Sequence, residues 1–223
     1  MEEQGFVNFI FYKLDPQWRR LPSDERELGG KEFVSVVERH QSRLWVRPYL
    51  TLGLREDADF LLWVRAPEVE AIQELVADLY ATGLGRYLNM PYAYLAMIRE
   101  SQYTREHKNP PQVLKEGYRY LIVYPFIKSR DWYLLSFDAR QGMMNEHIKV
   151  GHEFPTVKIN TCYSFGLDDQ DFVVAFETNS LSDFQELVIR LRETEASRYT
   201  VRDTPMMVCV SRDLREIVQT LNA

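Results

Sequence analysis

The stretch ADFLLWVRAPEVEAIQELVADLYATGLGRYL, residues 58–88, aligns without a gap with the stretch QDFVVAFETNSLSDFQELVIRLRETEASRYT, residues 170–200. Identical residues recur at one offset of 112 positions: Asp-Phe at 59–60 and 171–172, Gln-Glu-Leu-Val at 73–76 and 185–188, and Arg-Tyr at 86–87 and 198–199. Chance similarity between two amphipathic helices would not fix three separate matches at one offset. Because 112 is half of the 223-residue chain, the sequence indicates a tandem duplication.

Each half shows the same order of elements: strand, helix, strand, strand, helix, strand. Apolar and alternating runs predict strands at 6–14, 43–53, 58–66 and 91–98, and again at 118–128, 156–166, 171–178 and 205–211. Helices are expected after Pro67 and after Asn179-Ser180, where a side chain can cap the first turn. Two βαββαβ units are ferredoxin-like modules, which predicts an α+β fold with antiparallel sheets and the helices outside.

The domain boundaries follow from the duplication. We expect an N-terminal ferredoxin-like module at 1–99, a polar linker at 100–117 that contains Pro110-Pro111, and a C-terminal module at 118–223. The two sheets are expected to pack face to face or to close into a barrel.

Composition excludes several classes of protein. The chain is 45% hydrophobic and 27% charged, as in globular proteins, and its net charge of -6 lacks the basic footprint of a nucleic-acid binder. No apolar run approaches the roughly 18 residues of a membrane span, and the acidic start MEEQGFVNF is unlike a signal peptide. The two cysteines form no CxxC pair or disulfide framework. We therefore expect a soluble, cytoplasmic protein.

Two of the four histidines lie in MMNEHIKVGHEF, residues 143–154. His147 falls on the apolar helical stripe formed by Met143, Val150 and Phe154. His152 lies about 140° away around the helix, so the two cannot hold one metal ion as an i, i+4 pair would. A lone histidine on an apolar face is either a satisfied core residue or a single axial ligand, such as haem iron uses.

A set of motifs in the C-terminal half resembles the chlorite dismutase-like family, haem proteins that include the coproheme decarboxylases. The motifs are YPFIKSRDWYLL (124–135), MMNEH (143–147), VK (157–158), GLDDQDF (166–172) and DFQELV (183–188), in the expected order. The first half resembles the family mainly through its fold pattern and the repeat. The resemblance implies a dimeric α+β barrel, commonly assembled as a homopentamer, with haem or coproheme on the C-terminal sheet.

The resemblance also implies how the iron is held. The proximal ligand of the family is the histidine of the EH motif, which is His147 here. Glu195 lies near the place of a carboxylate that hydrogen-bonds the proximal imidazole, and such a partner orients the ring and raises its basicity. The alternative is that Glu195 is only a solvated charge at a helix end.

Two positions separate the activities within the family. Chlorite dismutases that this chain resembles carry an arginine where Ile159 stands, in the distal pocket, and isoleucine cannot hold an anionic oxidant. A subgroup of coproheme decarboxylases instead places a catalytic histidine on the linker, and His107, seventeen residues before Tyr124, matches that spacing. His107 would exchange a proton with hydrogen peroxide; otherwise it is an exposed loop histidine.

The alternation of YRYLIVYPFIK puts Tyr124 and Lys128 on one face of a strand, about 13 Å apart. The resemblance makes Tyr124 the catalytic redox residue and assigns Lys128 and Arg192, on a helix expected at 180–199, to the propionates. The alternatives are a core aromatic, a strand-end charge and a solvated helix arginine.

The expected function is the peroxide-dependent decarboxylation of two propionates of iron-coproporphyrin III (coproheme) to vinyl groups, which gives haem b. The iron porphyrin is then both substrate and redox centre. Two alternatives remain: a haem-binding peroxidase or chlorite dismutase-like enzyme, and a non-catalytic family member that binds haem or forms a haem-free oligomer. Oxygen release from chlorite would separate the first alternative, and a Soret band sensitive to His147 would exclude the haem-free protein.

Overall fold

A computed structural model describes residues 5–103 and 117–223 of the chain, and its first half is a single βαββαβ module. Its elements follow the expected βαββαβ order: β1 (Phe6–Leu14), α1 (Ser23–His40), β2 (Trp45–Leu50), β3 (Phe60–Ala66), α2 (Val69–Ala81) and β4 (Leu88–Met97). All strand pairs are antiparallel, in the order β4-β1-β3-β2. This is the arrangement of a ferredoxin-like module.

The C-terminal half repeats this order with one added short helix. Its elements are β5 (Tyr120–Lys128), α3 (Arg130–Leu134), α4 (Phe137–His152), β6 (Val157–Tyr163), β7 (Phe172–Thr178), α5 (Leu181–Arg192) and β8 (Thr200–Arg202), followed by β9 (Met207–Ser211) and α6 (Leu214–Leu221). The strand order β8-β5-β7-β6 matches that of the first half. The predicted duplication is therefore visible in the pairing of the strands.

Caps and turns fix the ends of these elements as the sequence indicated. Ser180 caps α5, because its hydroxyl accepts a hydrogen bond from the Asp183 amide at 3.3 Å. The two tight turns between the middle strands of each half have Gly53 at φ 78° and Gly166 at φ 71°. Left-handed backbone of this kind favours glycine, and both halves supply one.

The last segment of the chain differs from the boundary expected at 118–223. Compact unit one contains the described residues up to Ile98 together with Cys209–Ala223, and unit two is formed by the described residues of Arg99–Val208. The reason is apolar packing: α6 inserts side chains into the core of the first unit, where they lie with Trp18 and Phe33. These side chains are Leu214, Ile217, Val218 and Leu221.

The strand predicted at 205–211 also differs from the structure. The place beside β5 that corresponds to β4 is taken by the short β8, whereas β9 pairs through Val210 and Ser211 with β2. Between them, β8 ends at Arg202 and β9 begins at Met207, so Pro205 lies in the segment that joins the two strands.

The strand register shows which residues of the halves correspond. Tyr12 lies opposite Phe60 in the first half, and Phe126 lies opposite Phe172 in the second. Phe60 and Phe172 are 112 apart, whereas Tyr12 and Phe126 are 114 apart. The first strands are therefore displaced by two residues, which preserves the faces of the strand. Tyr124 thus corresponds to Ile10, and Lys128 to Leu14.

Candidate functional site

The candidate site is built on the face of β5 that carries Tyr124. Tyr124 is buried, and its ring stacks on Phe176 of β7 with centroids 5.8 Å apart and planes at 17°. The same face packs against Val150 of α4 and Leu187 of α5. Burial raises the pKa of the Tyr124 hydroxyl, the negative charge of Asp203 adds to the rise, and the positive charge of Arg192 opposes it. The phenol is therefore protonated at neutral pH and able to give up a hydrogen atom.

Lys128 ends the same strand and is held by neutral groups. Its Nζ donates to the Ala196 carbonyl oxygen at 2.5 Å and to Thr200 Oγ1 at 3.4 Å, and it lies 4.9 Å from the centroid of the Trp132 ring. Burial lowers the pKa of Lys128 to about 8. A partly buried ammonium with neutral partners gains from an anion, because an anion offsets the cost of burying the charge.

His147 lies on α4, whose first turn is capped by Ser136; its hydroxyl accepts from the Ala139 amide at 3.2 Å. The imidazole is half-buried, and its Nδ1 is a buried atom without a hydrogen-bond partner among the described residues. The pKa of His147 is lowered to about 4, first by burial and then by the positive charge of Lys128, against the opposing charge of Glu146. The ring is therefore neutral at pH 7.

A neutral imidazole with an unpartnered buried nitrogen fits the requirements of an axial iron ligand. Iron takes the lone pair of one ring nitrogen, and the other nitrogen then donates its hydrogen to a nearby acceptor. The positive charge of Lys128 contributes to the low pKa of His147. That the two residues serve one site stays a prediction.

Glu195 stands next to this site but is engaged elsewhere. Its Oε1 accepts from Nη1 of Arg198 at 2.6 Å, and its backbone amide donates to Glu146 Oε2 at 3.2 Å. No hydrogen bond joins the Glu195 carboxylate to His147 in the described residues. The predicted role of Glu195 as acceptor for the imidazole thus requires a side-chain position other than the one it has here.

Arg192 is the last residue of α5 and not the middle of a helix reaching residue 199, as the sequence suggested. The helix ends there because side chains take its last carbonyl oxygens: Thr194 Oγ1 donates to Leu191 at 2.7 Å and Ser197 Oγ donates to Arg192 at 2.8 Å. The Arg192 guanidinium forms an ion pair with Asp203, with Nη2 and Oδ2 3.1 Å apart. Sequence reasoning missed Asp203, which no local motif marks.

Ile159 lies on β6 directly across from Phe176, on the face that also carries Tyr124. Its side chain is 41% exposed, and Cδ1 lies 3.7 Å from the position that a Cβ on Gly151 of α4 would occupy. Ile159 is therefore a partly exposed apolar residue between β6 and α4.

The remaining predicted residues are less informative. His107 falls within 104–116, outside the described residues. His152 is exposed near the end of α4, away from the buried side of that helix. Tyr133, in the motif at 124–135, donates its hydroxyl to Asp171 Oδ2 at 2.8 Å, and the same oxygen accepts from the Lys128 amide at 2.8 Å. Asp171 thereby fixes the end of the strand that carries Lys128.

Comparison with known proteins shows the family of the chain. The sequence profile of the family described as "Chlorite dismutase" matches residues 11–212. The chain belongs to the chlorite dismutase-like family, whose members bind haem or another iron porphyrin.

Among its relatives is a coproheme decarboxylase from Mycolicibacterium smegmatis, 35% identical over 202 residues, which are 90% of this chain and 87% of that protein. A chlorite dismutase from Ideonella dechloratans is 29% identical, with 97% of this chain and 80% of that protein covered.

Solved structures confirm the fold class. The chlorite dismutase from Candidatus Nitrospira defluvii, in complex with imidazole, has a TM-score of 0.92 and 27% identity, covering 100% of this chain and 97% of that one. The expected α+β class is therefore correct. In the described ranges no helix has the length and apolar character needed to span a membrane.

Proposed function

We propose that this protein is a coproheme decarboxylase, an oxidoreductase that uses hydrogen peroxide to convert two propionates of iron-coproporphyrin III to vinyl groups and so produces haem b. The observation that carries the proposal is the presence, on one face of β5, of a buried phenol at Tyr124 and of an ammonium at Lys128 whose partners among the described residues are neutral. The 35% identity to a coproheme decarboxylase supports the same reaction.

The chemistry needs an oxidant, a hydrogen-atom acceptor and an anchor for the carboxylates. Bound iron porphyrin, with peroxide, supplies the oxidising power. For each propionate the balance is R-CH2-CH2-COO⁻ + H2O2 + H⁺ → R-CH=CH2 + CO2 + 2 H2O. Tyr124 loses its phenolic hydrogen to the oxidant and takes one back from the propionate carbon next to the ring. The resulting carbon radical gives one more electron to the oxidant, and carbon dioxide then leaves with formation of the vinyl group. Lys128 holds a carboxylate as a point charge.

Three further residues complete the proposed site. His147 supplies the axial nitrogen to iron, and its low pKa keeps the lone pair free at neutral pH. Glu195 would accept the other imidazole hydrogen from a side-chain position other than the one described above. His107 is proposed to take a proton from peroxide and return it to the leaving oxygen, which suits a group that titrates near neutrality.

The deciding experiment loads the protein with coproheme, titrates hydrogen peroxide and follows the porphyrin by mass spectrometry. We expect stepwise loss of two carboxyl groups, with haem b as the final product. Tyr124→Phe keeps the ring and its stacking on Phe176 but has no hydroxyl, so it should bind coproheme and give no haem b. Tyr120→Phe is the matched control on the same strand face and should retain the reaction.

Two results would contradict the proposal: unchanged coproheme after peroxide, or equal haem b production by Tyr124→Phe and the unaltered protein. His107→Ala tests the distal role separately, because only the rate of the peroxide-dependent step should fall while coproheme affinity is kept.

The enzymatic rivals are a haem-dependent peroxidase and a chlorite-degrading enzyme. The apolar Ile159 beside the site disfavours chlorite, since it cannot pair with an anionic oxidant. Oxygen evolution from chlorite should be negligible, and Ile159→Arg is the variant in which it would appear. A non-catalytic haem-binding or haem-free member would show no product in the mass experiment.

We further propose that the protein works in the cytoplasm as a homo-oligomer, a pentamer by family resemblance. Sedimentation of the loaded protein gives the number of subunits, and cell fractionation gives the compartment. A monomer in sedimentation would refute the assembly without touching the reaction.

A further inference from the structure

The ion pair between Arg192 and Asp203 lies beside the residue to which we assign the chemistry. Arg192 ends α5, and Asp203 follows β8, the strand that pairs with β5 at Ile127 and Lys128. Met206, three residues after Asp203, packs in the same apolar cluster as Tyr124. The opposing effects of the two charges on the pKa of Tyr124 agree with this proximity.

The exposure of the two side chains makes this pair easy to exchange. The Arg192 side chain is 63% exposed and that of Asp203 is 29% exposed. An ion pair of this kind contributes little in water, because the guanidinium stays largely solvated. Another carboxylate that reaches Arg192 can therefore replace Asp203 at small cost, and a neutral group cannot.

We propose that Asp203 is a specificity-determining residue: it occupies Arg192 until a propionate beside Tyr124 displaces it, and it pairs with Arg192 again once that carboxylate has been lost. This inference rests on the proposed function, because it takes the reactive propionate to be the one near Tyr124. Asp203 touches no reacting atom in this scheme and acts only through Arg192.

The consequence is a difference between substrate and product. Coproporphyrin carries a carboxylate at the reactive position and must compete with Asp203 for Arg192. Protoporphyrin carries a vinyl group there and leaves the ion pair intact. Asp203 therefore weakens the binding of the substrate and leaves the binding of the product unchanged.

The test uses the full chain and two metal-free probes, coproporphyrin III and protoporphyrin IX, with affinity read from quenching of tryptophan fluorescence. Asp203→Asn should bind coproporphyrin III about two- to fivefold more tightly, the range of an exposed ion pair, and protoporphyrin IX as before. Arg192→Gln should weaken coproporphyrin III only. In the Arg192→Gln background, Asp203→Asn should have no effect.

A matched control is Glu38→Gln, which breaks another exposed pair, Arg215 Nη2 to Glu38 Oε1 at 2.6 Å, in the first unit. It should alter neither affinity. The proposal is overturned if Asp203→Asn changes both affinities equally, or if its effect persists without Arg192. Either result would leave the peroxide reaction untouched, whereas correct affinities with no haem b would refute the proposed reaction alone.

Discussion

The two halves of the chain use one fold for opposite purposes. At the places where the second half has Tyr124 and Lys128, the first half has Ile10 and Leu14, both buried in its main apolar cluster. The helices α1 and α4 end at His40 and His152, 112 residues apart, so the place of His147 is taken by Ser35 in the first half. The residue types proposed as redox group, carboxylate anchor and iron ligand are thus absent from these three positions of the N-terminal copy.

Packing follows the same division. The helix α1 buries seven residues, among them Phe33 and Val37, whereas α4 buries only Val150. The helix α6 adds four more apolar side chains to the first core. Because buried apolar area is the main source of stability, the N-terminal copy contributes mostly to stability. The C-terminal copy leaves a half-buried histidine and a lysine with neutral partners, which is the condition for binding a ligand.

The strongest test of this division removes the proposed iron ligand. His147→Ala should abolish the Soret shift on haem binding and weaken haem affinity by more than about tenfold, because it removes the only proposed nitrogen ligand. Ser35→Ala, at the corresponding exposed position of the first half, should change neither quantity. A titration of both variants with haem followed by absorbance measures this. An unchanged spectrum in His147→Ala would place the iron ligand elsewhere.

The acid stability of the ligand-free protein gives the next largest effect. The pKa of His147 is about 4 in the folded chain against 6.5 for an ordinary histidine. Between these values the unfolded chain binds a proton that the folded chain does not, so stability is full above pH 6.5 and falls as the pH drops towards 4. From pH 7 to 5 this should cost about 1–2 kcal/mol.

Urea unfolding at pH 7 and pH 5 measures that cost. His147→Gln keeps a polar side chain but does not titrate. Its loss of stability between pH 7 and pH 5 should therefore be about 1–2 kcal/mol smaller than that of the unaltered protein. Equal losses in the two proteins would mean that His147 is not buried as a neutral ring. The first half has no counterpart to this effect because Ser35 carries no ionisable group.

The duplication and the strand order could be predicted from the sequence because both depend on local patterns: the alternation of strands and the repeat at 112 residues. The position of α6 could not. Its apolar stripe shows that Ile217 and Leu221 are buried, but a stripe does not specify which of two similar cores receives it. The boundary of the second module was therefore expected at the end of the chain instead of at Val208.

For a related reason, only part of the candidate site could be predicted from the sequence. His147, Tyr124 and Lys128 lie in motifs and could be named from the sequence, whereas the pairing of Asp203 with Arg192 depends on where β8 and its loop return to α5. The two-residue displacement of β5 relative to β1 was also invisible, because a shift of two leaves the same residues on each face. Contacts of this kind are set by loop lengths and not by periodicity.

Two glycines at the same position of the repeat test the difference in packing between α1 and α4. Gly30 in α1 corresponds to Gly142 in α4. A Cβ on Gly30 would lie 2.5 Å from Cγ1 of Val218, a buried, branched side chain of α6 that cannot turn away. Gly30→Ala should therefore lower the free energy of unfolding by about 1–2 kcal/mol, the overpacking cost less the gain in helix propensity. Urea unfolding at pH 7 measures it, and a stabilised variant would contradict close packing of α6 on α1.

Gly142→Ala should have the smaller effect and the opposite sign. Among the residues that the structure describes, a Cβ there would have no neighbour within 4 Å. Alanine in an exposed helix interior is favoured over glycine, so the free energy of unfolding should rise by about 0.5–1 kcal/mol. Coproheme affinity should be unchanged, since residue 142 lies more than one helical turn from His147. If both alanines shifted stability in the same direction, the two helices would be packed alike at this position. The difference in packing between the N-terminal and the C-terminal half would then be refuted.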